Sequence, residues 1–174
     1  MQERREKKAL HLIKAGDVFS VGDFRITAYK GKHIKLGAWD IVKALFSKRV
    51  FRSRKGILKK LAKIISCPER NESLCYLVEV CGKRILILGS LALADGIPYP
   101  TDVDIAFFPY QGFGDLCSIA CRIYNRIKPK AVLLTHFDDT FPPFSSDIDT
   151  SDFEKKINKR AAVYKLRHGG SIEI

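Results

Sequence analysis

The sequence predicts a layered α/β domain with a mixed β-sheet and flanking helices. Residues 85–88, 105–108 and 131–134 are unbroken apolar runs, which is typical of strands covered on both faces. A helical pattern lies between the last two runs, as expected where helices and strands alternate in layers. With 174 residues, the chain has the length of one domain, so we expect residues 1–174 to share a single core.

The first half of the chain predicts a β-hairpin followed by a helical insertion. Residues 17–33 read as two short strands around a Gly-Asp turn, and the second strand ends shortly before His33. Residues 39–66 then place apolar side chains at three- and four-residue spacing, with lysines between them. This spacing predicts two short amphipathic helices. We therefore predict a basic helical insertion over residues 39–70.

The second half predicts strands and helices in alternation. Residues 74–80 and 84–90 read as a second hairpin, and a strand over 103–109 follows a loop rich in Gly and Pro. Residues 114–130 carry one apolar stripe, which predicts a helix. A strand over 131–137 comes next.

The C-terminal part predicts one more helix and a last hairpin. Ser151 and Glu154 have the spacing of a capping box, which makes Ser151 the predicted N-cap of a short helix. The apolar residues of 162–174 surround the pair Gly169-Gly170. This arrangement predicts a terminal hairpin.

The net charge of +12 belongs mostly to the predicted insertion. Nine Lys or Arg and no acidic residue lie between Ile41 and Pro68. The pattern favours a solvated helical insertion that partly covers a cleft over three alternatives. These are a lid that recognises an anionic substrate, a membrane-surface helix pair and a nucleic-acid contact, for which few aromatic residues are interleaved.

Cysteine usage and the lack of targeting features favour the cytoplasm. The five cysteines are an odd number and form no C-x-x-C pair, so a zinc ribbon has no support and reduced thiols are expected. No apolar run is long enough to span a bilayer. The charged N-terminal segment makes a poor signal peptide.

Polar residues follow two of the predicted buried strands. Ser90 follows the run 85–88, and His136 follows the run 131–134. Ligands gather beyond the carboxyl ends of strands in α/β sheets, so His136, Asp138 and Asp139 are candidate site residues. A single histidine at a strand end is more often structural than a ligand, and the motif T-H-x-D-D is weak when taken alone.

The order of these motifs resembles the C-terminal half of the metallo-β-lactamase superfamily, and most closely its lactonase-like metal-dependent hydrolases. The resemblance rests on the strand before His33, then YLVEVCGKRILILGS, DVDIAFFP, a helix and PKAVLLTHFDD. It covers about residues 17–38 and 73–174. It implies one layered half of an αβ/βα sandwich whose site lies in the cleft between two similar halves.

The resemblance also implies site residues and a cofactor. His136 corresponds to the last metal-binding histidine of the family, and His33 is a candidate for the earlier histidine that follows the motif H-x-H-x-D-H in the family's chain order. Asp138 and Asp139 are the predicted catalytic residues, which orient His136 or add oxygen ligands. The implied cofactor is a divalent metal, zinc first and manganese or iron as alternatives. Ser90 stands where the family has the aspartate that bridges two metals.

The motif H-x-H-x-D-H is absent from the sequence. We therefore expect a truncated or degenerate half, or one whose other half is a separate chain. The implied function is hydrolysis of an ester, lactone or phosphoester by metal-activated water. The alternative is a non-catalytic binding or scaffold module that uses the basic insertion on anionic partners.

Expected partners are a small anionic substrate and either the missing N-terminal half or a second copy. Nucleic acid and membrane surfaces are disfavoured.

Overall fold

The computed structural model describes residues 12–33, 73–112, 114–138, 147–166 and 168–173. Seven strands and two helices lie within them. The strands are β1 (Val18–Val21), β2 (Phe24–Lys30), β3 (Leu74–Val80), β4 (Lys83–Leu88), β5 (Ile105–Pro109), β6 (Ala131–Thr135) and β7 (Ala162–Lys165). The helices are α1 (Leu116–Ile127) and α2 (Ser151–Ile157). The predicted α/β class is confirmed, and the predicted insertion over residues 39–70 lies outside the described residues.

All seven strands form one mixed sheet in the order β1-β2-β3-β4-β5-β6-β7. The first three pairings are antiparallel and the last three are parallel. Because β2 and β4 both run antiparallel to β3, they point in the same direction as β5, β6 and β7. Five of the strands therefore end at one edge of the sheet, which we call the carboxyl edge.

The hydrophobic core lies on one face of the sheet, beneath both helices. Leu86, Phe108 and Val132 on the strands pack in the same buried cluster as Ile123 of α1 and Phe153 of α2. The apolar positions of α1 recur every three or four residues, which places them on the side that faces the sheet. Asp115 caps this helix by accepting a hydrogen bond from the Ser118 backbone N–H at 3.0 Å.

The opposite face of the sheet is also apolar, and we call it the second face. The register of the strand pairs aligns Ile26 with Val78 and Ile85, and Tyr76 with Ile87. Both described helices pack on the other face. Several second-face side chains remain accessible, including Phe24 at 46% and Tyr164 at 36% exposure. Further members of this face are Phe19, Ala28, Ile105, Phe107 and Leu133.

Two local predictions for the C-terminal part are wrong. The N-cap of α2 is Thr150, and Ser151 is the first helical residue. The Thr150 hydroxyl instead donates a hydrogen bond to the Glu154 carboxylate, so the expected side-chain cap is replaced by a bond one turn into the helix. The predicted terminal hairpin is also not formed, because described residues 170–173 contain no strand after the turn at Gly169.

Within the described part of the chain, neither helix has the length and apolar character needed to cross a membrane.

Candidate functional site

The carboxyl edge of the sheet brings the sequence-predicted site residues to one side of the molecule. His33 lies three residues beyond the end of β2, Ser90 two beyond β4, and His136 directly after β6. The strands that carry them run in the same direction. This edge is where α/β proteins place their ligands, so it is the candidate functional site.

His33 is exposed and lies between two cavities. One cavity, of about 670 Å³, lies at the end of β2 and the start of β3, and Ser73 and Gly89 line it. The other, of about 530 Å³, extends towards α1 and includes Lys32 and Arg126. His33 can therefore contact a ligand in either cavity.

The end of β4 is packed tightly against the start of β3. A Cβ atom at Gly89 would lie 2.4 Å from the Leu74 carbonyl oxygen and 2.7 Å from the Ser73 hydroxyl. A Cβ atom at Gly31 would lie 2.8 Å from the Ser73 carbonyl oxygen. Only glycine permits this approach of backbones. The two glycines therefore hold the backbone just before Ser90, which is itself buried.

The loop after β4 is tied to β2 and α1 through Tyr99. The Tyr99 hydroxyl accepts a hydrogen bond from the Ala94 N–H at 3.0 Å and donates one to the Lys30 carbonyl oxygen. Arg126 of α1 donates to the carbonyl oxygens of Ala94 and Ile97, at 3.1 and 2.6 Å. Burial raises the pKa of Tyr99, which keeps its hydroxyl protonated and able to donate. These bonds hold the segment that follows Ser90.

His136 stands at the other end of the carboxyl edge in a left-handed backbone conformation, with φ of 59°. Its ring Nδ1 lies 3.1 Å from the Thr135 hydroxyl, which leaves Nε2 as the second ring nitrogen for a ligand. Cys81, Asp102 and Lys128 also have positive φ, but His136 is the one of these four described residues that lies at the carboxyl edge, where such conformations can mark a functional site. The conformation turns the chain sharply at the end of β6.

His136 lines an open cavity of about 390 Å³. Asp138 and His168 border the same cavity, and all three side chains belong to exposed residues. Sequence reasoning gave His168 no role. The signal that could have found it is topological, since β7 runs parallel to β6 and His168 follows β7 as His136 follows β6.

The predicted metal ligands are not brought into one cluster by the described residues. His33 and His136 border different cavities, and their strands are four positions apart, or about 19 Å between strand axes. No group of three or more His, Cys, Asp or Glu that could hold a metal ion occurs among the described residues. Asp139 lies outside them. The ligand and catalytic roles of these residues stay predictions.

Comparison with known proteins identifies the fold. No family model matches the sequence, and no curated protein matches it either. A metallo hydrolase from the archaeon Ignicoccus hospitalis has a similar structure, with a TM-score of 0.59 and 15% identity over 92% of this chain and 58% of its own. A metallo-β-lactamase fold protein from Bacillus subtilis has a TM-score of 0.52 and 13% identity, over 89% and 52%.

A structure from Parabacteroides distasonis, described as a metal-dependent hydrolase, has a TM-score of 0.53 and 20% identity over 88% of this chain and 56% of its own. The predicted fold is therefore confirmed: the chain has a metallo-β-lactamase-type fold. It spans little more than half the length of these solved structures.

Proposed function

We propose that the chain is one half of a metal-dependent hydrolase that acts on an ester, lactone or phosphoester bond. The observation that carries the proposal is the conformation of His136. It is a strained, exposed histidine at the carboxyl end of β6, in a cavity with Asp138 and His168, on a metallo-β-lactamase-type fold. His136 and His33 are the proposed metal ligands, and Asp138 and Asp139 are the proposed residues that orient His136 or add oxygen ligands.

The described residues do not fit a complete metal site by themselves. Catalytic zinc has three protein ligands and an open position, whereas the described residues contain no such group. We therefore propose that further ligands come from a second half of the fold. The comparisons support this, because the similar structures are longer than this chain.

The second face of the sheet supports the same proposal. A sheet with apolar side chains on both faces needs a layer on each. On the second face Ala28, Ile105 and Leu133 are already buried, so the part that remains accessible is the one around Phe24 and Tyr164. Aligned packing of two sheets would bury the accessible Phe24 and Tyr164. We propose that the second half of the fold packs on this face. Its metal-binding residues would then lie next to the carboxyl edge of this sheet.

The test is metal binding followed at individual histidines. Histidine side chains labelled with ¹⁵N are observed by NMR while zinc is added to the purified chain. We expect the His136 ring signal to shift with weak affinity, because few ligands are present. His136→Gln should remove this signal and weaken zinc binding at least tenfold. Manganese and iron are titrated in the same way.

The control is Asp23→Asn, which removes an exposed carboxylate in the β1–β2 turn and should leave zinc binding unchanged. An unshifted His136 ring at saturating zinc, or undiminished zinc binding by His136→Gln, would overturn the assignment of His136 as a ligand.

A further inference from the structure

The cavity between His33 and α1 carries a concentration of positive charge. Lys32, Arg122 and Arg126 line its described part, together with one carboxylate, Asp95. Three cations and one carboxylate leave a net charge of +2 around about 530 Å³. In the sequence, none of these residues belongs to the basic segment 39–70.

The three cations differ in how firmly they are held. Arg126 is held by two backbone carbonyl oxygens and stacks on the Tyr99 ring, with its guanidinium carbon 5.0 Å from the ring centroid. Lys32 forms an ion pair of 2.8 Å with Asp95. Arg122 lies about one helical turn before Arg126. Its side chain forms no hydrogen bond or ion pair with the described residues, and its charge helps to lower the pKa of Asp115, after the hydrogen bonds from Ser118. For an anion that enters the cavity, Arg126 is a cation held in place, Lys32 can exchange its partner Asp95 for the anion, and Arg122 is available.

Apart from His33, the other described walls of this cavity are apolar. Leu91 and Leu93 come from the loop after β4, and Ile119 and Ile123 from α1. A ligand that fills the cavity needs an apolar body next to these side chains as well as an acidic group next to the arginines. A phosphomonoester carries a charge of about −1.5 to −2 at neutral pH, whereas a carboxylate carries about −1. The net charge of +2 matches the phosphomonoester.

We propose that this cavity binds a small phosphomonoester with an apolar body, its phosphate held by Arg122, Arg126 and Lys32. Guanidinium groups suit this role because their N–H groups form paired hydrogen bonds with phosphate oxygens. His33, a proposed metal ligand, borders the cavity, so the bound phosphomonoester would be a substrate of the hydrolase. That part of the assignment rests on the proposed function. As a binding site the cavity is independent of any metal.

The experiment measures binding of phenyl phosphate to the whole chain by calorimetry, at low ionic strength and with EDTA present. We expect phenyl phosphate to bind more tightly than inorganic phosphate, and both to bind more tightly than benzoate or phenol. Binding should weaken as salt is added. Benzoate binding as tightly as phenyl phosphate would overturn the proposed ligand class.

Two substitutions should change the affinity in opposite directions. Arg122→Gln removes the available cation, and we expect about fivefold weaker binding of phenyl phosphate, the size of one charge contact near water. Asp95→Asn removes the competing carboxylate from Lys32 and should tighten binding several-fold. Neither side chain is buried, so both variants should fold.

The matched control is Lys83→Gln, which removes one exposed positive charge at the opposite edge of the sheet and should leave the affinity unchanged. Equal weakening by Lys83→Gln and Arg122→Gln would show general charge attraction and overturn the site. Because no metal is present in the calorimetry, a failure of phenyl phosphate to bind would refute the phosphate site and leave the proposed metal site untouched. An unshifted His136 ring in the zinc titration refutes the metal site alone.

Discussion

The two ends of the carboxyl edge are built differently. At the β2–β4 end, Gly31 and Gly89 pack against β3 without room for a Cβ atom, and Tyr99 and Arg126 hold the following loop. At the β6–β7 end, His136 is exposed in a strained conformation beside an open cavity. The difference is that glycine packing and hydrogen bonds fix the described backbone at the first end, whereas His136, Asp138 and His168 are exposed at the second.

Gly89→Ala is the test of this comparison for which we expect the largest change in stability. The added Cβ would lie 2.4 Å from the Leu74 carbonyl oxygen, so β3 and β4 must move apart at that end. We expect the free energy of unfolding, measured by urea denaturation, to fall by about 3 kcal/mol. Gly96→Ala in the same loop is the control. It has open space but a φ of 72°, so about 1 kcal/mol is expected.

Tyr99→Phe tests the hydrogen bonds of the β2–β4 end. The variant leaves the Ala94 N–H and the Lys30 carbonyl without their partner. Because an unsatisfied buried polar group costs about 1–3 kcal/mol, we expect the free energy of unfolding to fall by that amount. Amide hydrogen exchange should also speed up at Ala94. Tyr164→Phe, on a side chain that is 36% exposed, should change the stability by less than about 0.5 kcal/mol. Equal effects of the two variants would contradict the comparison.

His136→Gly tests the strain at the β6–β7 end. Glycine adopts a φ of 59° without steric cost, so we expect the free energy of unfolding to rise by about 0.5–1 kcal/mol while zinc binding is lost. His33 does not have a positive φ, and His33→Gly should therefore not be stabilising. A loss of stability in His136→Gly would show that the histidine side chain supports the fold.

Acidification tests the ion pair that joins α2 to β7. Glu154 of α2 lies 2.8 Å from the Lys165 ammonium, and the hydrogen bonds from Lys165 and then Thr150 hold the pKa of Glu154 below its usual value. A carboxylate with a lowered pKa in the folded state stabilises the protein above its unfolded pKa, and the contribution is lost as the pH falls through the folded value.

We therefore expect wild type to be more stable than Glu154→Gln at pH 7, by up to about 0.5 kcal/mol because both groups are partly exposed. The difference should shrink as the pH falls below the usual Glu pKa and through the lowered folded-state value. Lys165→Gln should show the same loss. A difference between wild type and Glu154→Gln that does not change with pH would contradict this account.

The strands and α1 could be predicted from the sequence because their signals are local. Alternation in residues 24–30, the turn after Val80 and the apolar stripe of α1 each appear within one short window. The cap of α2 was placed one residue late, because Ser151 and Thr150 both suit the position and a contact of Glu154 decides between them. The terminal hairpin failed because apolar residues beside a glycine pair do not specify a partner strand.

The site was less predictable because its features depend on neighbouring strands. His136 was found from its place after an apolar strand, but the proximity of His168 follows from the parallel pairing of β6 and β7. The cationic cavity was missed altogether. Lys32 and Arg126 are 94 positions apart in the chain, and only the packing of α1 beside the loop after β4 brings them together.

The order of strands in the sheet is the same as their order in the chain. Each new strand therefore pairs with the one synthesised before it, and no strand has to be inserted between two that are already paired. Sheets rich in non-local pairings fold slowly, and domains generally fold from the N-terminus during synthesis. This topology allows the sheet to grow on the ribosome one strand at a time, so that the residues of the carboxyl edge are assembled in sequence, with His33 first and His168 last.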